Sequence, residues 1–238
     1  MAVYVISDLH LATANVEKSM EVFGKRWIDY IEKLRSRWTR LVTDADTVVI
    51  PGDISWGLAM EDALDDLLWI DSLPGKKIIM KGNHDFWWST LSKLNKFFEK
   101  NQIKTISVLN NNAYEVEDYI IAGSRGWFTD KSMQNVEEDV DYDKIVNREA
   151  MRLRLSLMQA SNLAADSGKE IIVFLHFPVV WSDYVCLPIL NVLKEFNIKR
   201  CFFGHIHGNY NHPTVFKYEE IEFNIISADF LDFIPKIL

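Results

Sequence analysis

The chain is predicted to fold as an α/β protein in which buried strands are covered on both faces by helices. Three observations carry that expectation. Short apolar runs at residues 3–6, 47–50, 78–80, 171–175 and 201–203 are separated by segments of helical periodicity, the pattern of strands buried on both sides. Each of the five runs stops at a polar cluster that could hold a ligand, as expected at the carboxyl ends of strands in such sheets. The 238 residues are 48% hydrophobic and 25% charged with no low-complexity tract, so residues 1–238 are expected to share one core as a single domain.

Taken in order, Val3-Tyr4-Val5-Ile6-Ser7 passes into Asp8-Leu9-His10. Met20, Phe23, Trp27, Tyr30, Ile31, Leu34, Trp38 and Leu41 then recur every three or four positions with charges between them, which predicts one long amphipathic helix on the sheet. Thr47-Val48-Val49-Ile50 leads to Pro51-Gly52-Asp53, and Leu64, Leu67, Leu68 and Ile70 mark a helix that ends before Pro74-Gly75. Ile78-Ile79-Met80 leads to Lys81-Gly82-Asn83-His84-Asp85. Leu91, Leu94, Phe97 and Phe98 trace the next helix, with Asp85 near its start. Of Trp87 and Trp88, one is expected to pack inward and the other to line a pocket.

Residues 106–109, 114–116 and 119–122, separated by Asn110-Asn111-Asn112 and Glu117-Asp118, predict a meander in a second sheet. Residues 124–143 turn acidic and irregular after Trp127-Phe128 and are a candidate flap over the site. Ala150, Leu153, Leu157, Ala160 and Ala164 trace a helix as far as Ser167-Gly168, and the strand that follows ends at His176-Phe177-Pro178. A short helix starts at Leu187-Pro188. Cys201-Phe202-Phe203 then ends at Gly204-His205-Ile206-His207, and residues 216–218 and 221–226 form a terminal hairpin around Glu219-Glu220.

Composition narrows the function. A net charge of -8 and a pI near 5.3 argue against a nucleic-acid groove, which needs clustered Lys and Arg. No apolar stretch reaches the length of a membrane span, and the start lacks the tripartite pattern of a secretory signal, so a cytoplasmic protein is expected. Cys186 and Cys201 lie in apolar surroundings without the spacing of a thiolate metal site and read as reduced core residues.

Five of the six histidines lie in the polar clusters, beside Asp8, Asp53, Asn83 and Asp85. Carboxylate, imidazole and amide oxygen without thiolate suit Mn, Fe, Zn, Co or Ni. The chain order aspartate-x-histidine, Gly-Asp, Gly-Asn-His-Asp, His and Gly-His-x-His, spread over residues 8–207, resembles the calcineurin-like metallophosphoesterase superfamily. The resemblance implies a four-layer sandwich of two mixed β-sheets flanked by α-helices. It implies two divalent ions, with Mn expected, Asp8, His10 and His207 holding one, Asn83, His176 and His205 the other, and Asp53 bridging. It implies hydrolysis of a small-molecule phosphoester by a metal-bridging hydroxide, with His84 beside the scissile phosphate and Asp85 orienting His84.

The protein Ser/Thr phosphatase branch usually carries an arginine shortly after Gly-Asp and a glutamate after Gly-Asn-His. Here Ile54-Ser55-Trp56 and Asp85 stand in those places, so the pattern looks like the phosphodiesterase-type branch, which includes bacterial cyclic-nucleotide phosphodiesterases. Arg125 is the candidate phosphate contact, since a guanidinium fork matches phosphate oxygens, and Trp56, Trp127 and Phe128 are candidates to stack on a nucleobase. His212, before Pro213 in a polar loop, reads as structural. A non-catalytic metal-binding scaffold and a nuclease are the competing classes. The full motif set argues against the first, and the acidic charge against the second.

Overall fold

Along the second buried run, Val48 and Ile50 point into one apolar core and Val49 into another, as the two-residue period of a strand requires. The same alternation separates Phe202 from Cys201 and Phe203. Strands of this kind must be covered on both faces, and the computed structural model, which describes residues 1–13, 18–129 and 141–238, shows how.

In chain order the elements are β1 (Val3–Val5), α1 (Tyr30–Leu41), β2 (Thr47–Ile50), α2 (Leu64–Ser72), β3 (Lys76–Ile79), α3 (Leu91–Lys100), β4 (Ile106–Val108), β5 (Ala113–Val116), β6 (Tyr119–Ser124), α4 (Tyr142–Ser167), β7 (Glu170–Leu175), β8 (Val180–Trp181), β9 (Tyr184–Val185), α5 (Leu187–Glu195), β10 (Arg200–Phe203), β11 (Val215–Tyr218), β12 (Ile221–Ile225) and β13 (Lys236–Ile237). One sheet has the order β13-β1-β2-β3-β4 and the other β11-β12-β10-β7-β6-β5. Both are parallel inside, and their antiparallel pairs lie at the edges, β13 on β1, β11 on β12 and β5 on β6. Each is therefore mixed.

Val3, Val5, Val49, Ile78, Ile121, Ile172, Phe174 and Phe202 fill the space between the sheets. The outer face of the first sheet packs on α1, α2 and α3 through Leu34, Trp38, Leu67, Leu94 and Phe97. The outer face of the second packs on α4 and α5 through Leu153, Leu157, Leu190 and Leu193. The result is the expected four-layer sandwich. Burying one such side chain contributes roughly 1.5–3 kcal/mol, so three separate cores give each layer its own anchor.

The sheets converge at their carboxyl ends. Ser7, just past β1, bridges Ser227, just past β12: its N–H donates to the Ile226 carbonyl and its carbonyl accepts from Ala228 N–H, both at 2.8 Å. Loops that carry polar clusters from different sheets are thereby brought to one rim.

Two sequence expectations are corrected, and a third lies largely outside the described residues. The long helix over residues 20–41 is broken into two short 3-10 turns, Met20–Phe23 and Lys25–Trp27, and α1. Gly24 at φ 122 and Asp29 at φ 54 interrupt it, and Phe23 is left exposed. Strand β4 joins the first sheet, parallel to β3, rather than a meander in the second. The chain changes sheets over residues 109–112, where the Asn112 side chain accepts from Asn110 N–H. The proposed flap, residues 124–143, falls largely on residues 130–140, outside the described residues. Its first part is anchored: Phe128 is buried and Thr129 N–H donates to Tyr184 Oη at 2.8 Å.

Candidate metal centre

The polar strand ends hold four non-glycine residues in the left-handed region: Asp8 (φ 58), His10 (φ 46), Asp53 (φ 51) and His205 (φ 68). Such backbone is uncommon for residues with a side chain and persists only where the surroundings fix it. Here they do. Asp8 N–H donates to the Gly52 carbonyl at 3.0 Å, His10 N–H to the Asp53 carbonyl at 2.9 Å, and His205 N–H to both Asp8 carboxylate oxygens at 2.9 and 3.0 Å. Glycine is required at two contacts: a Cβ on Gly82 would enter the Asp53 carboxylate, and one on Gly204 would enter that of Asp8.

These turns assemble two groups of donor atoms, Asp8 with His10 and His207, and Asp53 with His176 and His205, the atoms of each lying within 4.8 Å of one another. In the first, His10 Nε2 is 3.3 Å from His207 Nε2, which is 3.6 Å from Asp8 Oδ1. In the second, Asn83 Oδ1 lies 2.7 Å from His176 Nε2 and 2.9 Å from His205 Nδ1. Asp53 Oδ2 stands between the groups, 3.7 Å from His10 Nε2 and 3.4 Å from His176 Nε2. Ligands bound at roughly 2.1 Å around a tetrahedral or octahedral ion lie about 3.0–3.4 Å apart, so the donor set has the spacing as well as the chemistry of cation sites. All seven residues expected as ligands come together here.

The charges agree. Burial opposes ionisation of both carboxylates, yet His207 and His176 hold Asp8 down at about 2 and Asp53 well below the usual carboxylate range. Against the same burial, Asp229 and Asp8 raise His207 to about 10, and Asp53 raises His176. Burial dominates at His10 and His205, lowered to about 4 and about 3. The His207 imidazolium thus stands beside the carboxylates where a cation would neutralise them, and His10 and His205 keep free lone pairs at neutral pH.

His84 belongs to neither group. Its N–H donates to Asp53 Oδ1 at 2.8 Å, while its ring is half-buried against Trp56, 4.5 Å between centroids, and His10, 5.5 Å. Burial lowers its pKa against the pull of Asp53. Asp85 does not bond the His84 ring. Its carboxylate accepts the backbone N–H groups of Asp53, Ile54, Ser55 and Gly82 and the Trp87 Nε1–H, at 2.8 to 3.3 Å. Burial and the Asp53 charge push Asp85 up to about 6, held back by those amides, so it is ionised at neutral pH and clamps the turn that carries Asp53 instead of orienting His84. Arg125 lies 3.7 Å from Glu149 and over the Trp127 ring, and its carbonyl accepts from His176 N–H at 3.0 Å.

Trp56 stacks on His10 and Phe128 is buried against Phe177, Tyr184 and His205, so packing claims both rings. Trp87 packs inward and Trp88 is half-buried at a cleft, as expected. His212 is structural, its ring 4.1 Å from that of Trp181. The sequence reading missed Asp229. It is fully buried, and its Oδ1 accepts from His207 Nδ1 at 2.8 Å while Tyr210 Oη donates to Oδ2 at 2.9 Å. A bond of this kind fixes the tautomer and direction of a ligand histidine. His176 has the equivalent, its Nδ1 lying 3.1 Å from the Pro51 carbonyl. Asp229 follows Ser227-Ala228 after a strand, where an aspartate reads as a turn residue.

Among solved structures, the fold resembles that of phosphopantetheinyl hydrolase from Mycobacterium tuberculosis, with 12% identity, 100% of this chain and 95% of that chain covered, and a TM-score of 0.52. It also resembles TT1561 of Thermus thermophilus, with 9% identity, coverage of 96% and 89%, and a TM-score of 0.57. Likeness at such identities concerns the fold alone. A curated relative, the gene 66 protein of Mycobacterium phage D29, is 37% identical over 83 residues, which are 35% of this chain and 40% of that protein. The chain thus spans less than half the length of that relative. The sequence profile of calcineurin-like phosphoesterases matches residues 1–209, which include every residue of the two donor groups. The chain belongs to the calcineurin-like phosphoesterase family.

Proposed function

We propose that the protein hydrolyses a phosphodiester or a small phosphorylated metabolite at two divalent cations, one held by Asp8, His10 and His207, the other by Asn83, His176 and His205, with Asp53 shared. The observation that carries this reading is the place of Asp53 Oδ2, within 3.7 Å of a histidine nitrogen from each group. When bound, the cations supply charge to the phosphoryl oxygens and acidify the attacking water. Asp8 and Asp53 contribute two negative charges against about four positive ones, so the centre attracts an anionic ester within an acidic protein.

The chain's own groups do the rest. The Pro51 carbonyl and Asp229 each hold the Nδ1 proton of a histidine, leaving Nε2 of His176 and His207 to face the centre. Asp85 holds the Asp53 turn rigid through its five N–H bonds. His84, outside both donor groups and half-exposed, contacts the phosphoryl oxygens or protonates the leaving-group oxygen, a contribution of roughly 10²- to 10⁴-fold. Oxygen and nitrogen donors without thiolate suit Mn, Fe, Zn, Co or Ni, and Mn is the ion proposed for the assay. The two buried, free cysteines, Cys186 and Cys201, fit a reducing cytoplasm.

Turnover of bis-p-nitrophenyl phosphate and p-nitrophenyl phosphate by Mn-loaded protein tests the reading. Hydrolysis that disappears together with metal binding in Asp53→Ala supports it. No turnover of either ester by protein shown to hold metal overturns it.

A further inference from the structure

Beside the metal centre lies a cleft of about 620 Å³ whose lining includes Lys81, Arg125, Arg148 and Arg152 around a single carboxylate, Glu149. Four cations against one anion is a local excess of three positive charges in a chain of net charge -8. We infer that this cleft binds a second phosphate group of the substrate, so that the enzyme acts on phosphoesters carrying another phosphate on the same small molecule. The inference rests on the hydrolase reading above and names its substrate class.

Three features of the cleft support it. Glu149 is buried, with 1% of its side chain exposed, and it holds Arg152 Nη1 at 2.6 Å and Arg125 Nη2 at 3.7 Å. One carboxylate therefore clamps two guanidinium planes without neutralising the group, and Arg125 Nε is left without a partner among the described residues. Lys81 and Arg148 form no ion pair among the described residues, and Arg148 is exposed on α4. Guanidinium forks match the oxygens of a phosphate, and several cations around one anion attract a group of higher negative charge.

The lining of the cleft is joined to the residues of the centre. Lys81 precedes Asn83 by two residues, so their Cα atoms are at most about 7.6 Å apart. Trp88, Ser89 and Thr90, a few residues past His84, also line it. Arg125 follows β6 directly, and its carbonyl accepts the N–H of both His176 and Phe177, at 3.0 and 2.9 Å. The volume exceeds that of a bare phosphate and falls in the usual range for a small organic ligand.

Two measurements test the inference. Chelator-treated protein is titrated with inorganic pyrophosphate by calorimetry, as wild type, Arg148→Gln and Arg148→Gln/Arg152→Gln. Since Arg148 is exposed, the single variant keeps the test valid if the double variant folds poorly. In parallel, kcat/KM of the Mn-loaded protein is compared for pairs of sugar and nucleoside phosphates that differ by one phosphate group. The expected result is pyrophosphate binding weakened roughly 10-fold or more per arginine removed, with a preference for the doubly phosphorylated member of each pair that shrinks by a similar factor. Equal kcat/KM for the two members, or binding indifferent to both arginines, overturns the inference and leaves the hydrolase reading standing. Absence of turnover of any phosphoester overturns the hydrolase reading and the substrate assignment with it; pyrophosphate binding then decides only whether the cleft is an anion site.

Discussion

Asp229→Asn offers a sharp test of how the centre is held together. Asp229 is fully buried and accepts from His207 Nδ1 at 2.8 Å, from Tyr210 Oη at 2.9 Å and from Gly208 N–H at 3.4 Å. Asparagine keeps the volume and one acceptor oxygen but removes the charge, converting a charge-assisted bond to a neutral one of about half the strength. His207 then keeps an acceptor for its Nδ1–H but loses the charge that makes it a stronger donor. Removing a carboxylate of this kind costs roughly 10- to 100-fold in metal affinity, or about 1.4–2.7 kcal/mol at 1.36 kcal/mol per tenfold. The loss is local, because Asp229 touches only the group of Asp8, His10 and His207 and leaves that of Asn83, His176 and His205 intact. Calorimetric titration of metal-free protein with Mn is therefore expected to separate into one event near the wild-type affinity and one weakened by that factor. Unchanged affinity at both positions, or equal weakening of both, would refute the assigned role of Asp229.

Three further outcomes follow from the same geometry. His84→Ala is expected to retain both cations by elemental analysis while kcat falls roughly 10²- to 10⁴-fold; full activity contradicts its assigned role, and loss of metal contradicts its place outside the donor groups. Gly82→Ala drives a Cβ into the Asp53 carboxylate and is expected to abolish stoichiometric metal binding, checked by the same analysis on protein whose circular dichroism matches wild type. In chelator-treated protein, His10 and His205 sit at about 4 and about 3, below the ordinary histidine value of 6.5, so the unfolded chain binds more protons between those values and stability rises with pH up to about 6.5. His207 is raised to about 10; its stabilisation is complete below 6.5 and is lost as pH climbs through 10. Thermal melts across this range are expected to peak near pH 6.5, and a Tm still rising toward pH 10 contradicts the charge arrangement.

Much of this architecture was legible in the sequence, for a physical reason. A strand buried on both faces has to be an unbroken apolar run, and a cation site has to be polar, so the junctions at Asp8, Asp53, Asn83, His176 and His205 stand out against the runs before them. What stayed hidden depends on backbone geometry or on contacts between distant segments. The apolar spacing over residues 20–41 is helical, but Gly24 and Asp29 adopt positive φ and break it, which spacing does not register. Residues 106–108 carry a strand signal that says nothing about which sheet they join. Asp85 looked like a partner for its neighbour His84, whereas the turn folds its carboxylate back onto the amides of residues 53–55 and 82. Asp229 and the arginines of the cleft are single residues on separate elements, with no local pattern to set them apart.

The central claim, a pair of cations sharing Asp53, is tested most directly by anomalous diffraction from crystals grown with excess Mn. Two peaks roughly 3.5–4 Å apart, one against Asp8, His10 and His207 and the other against Asn83, His176 and His205, are predicted. A single peak at saturating metal, or density remote from Asp53, would contradict it.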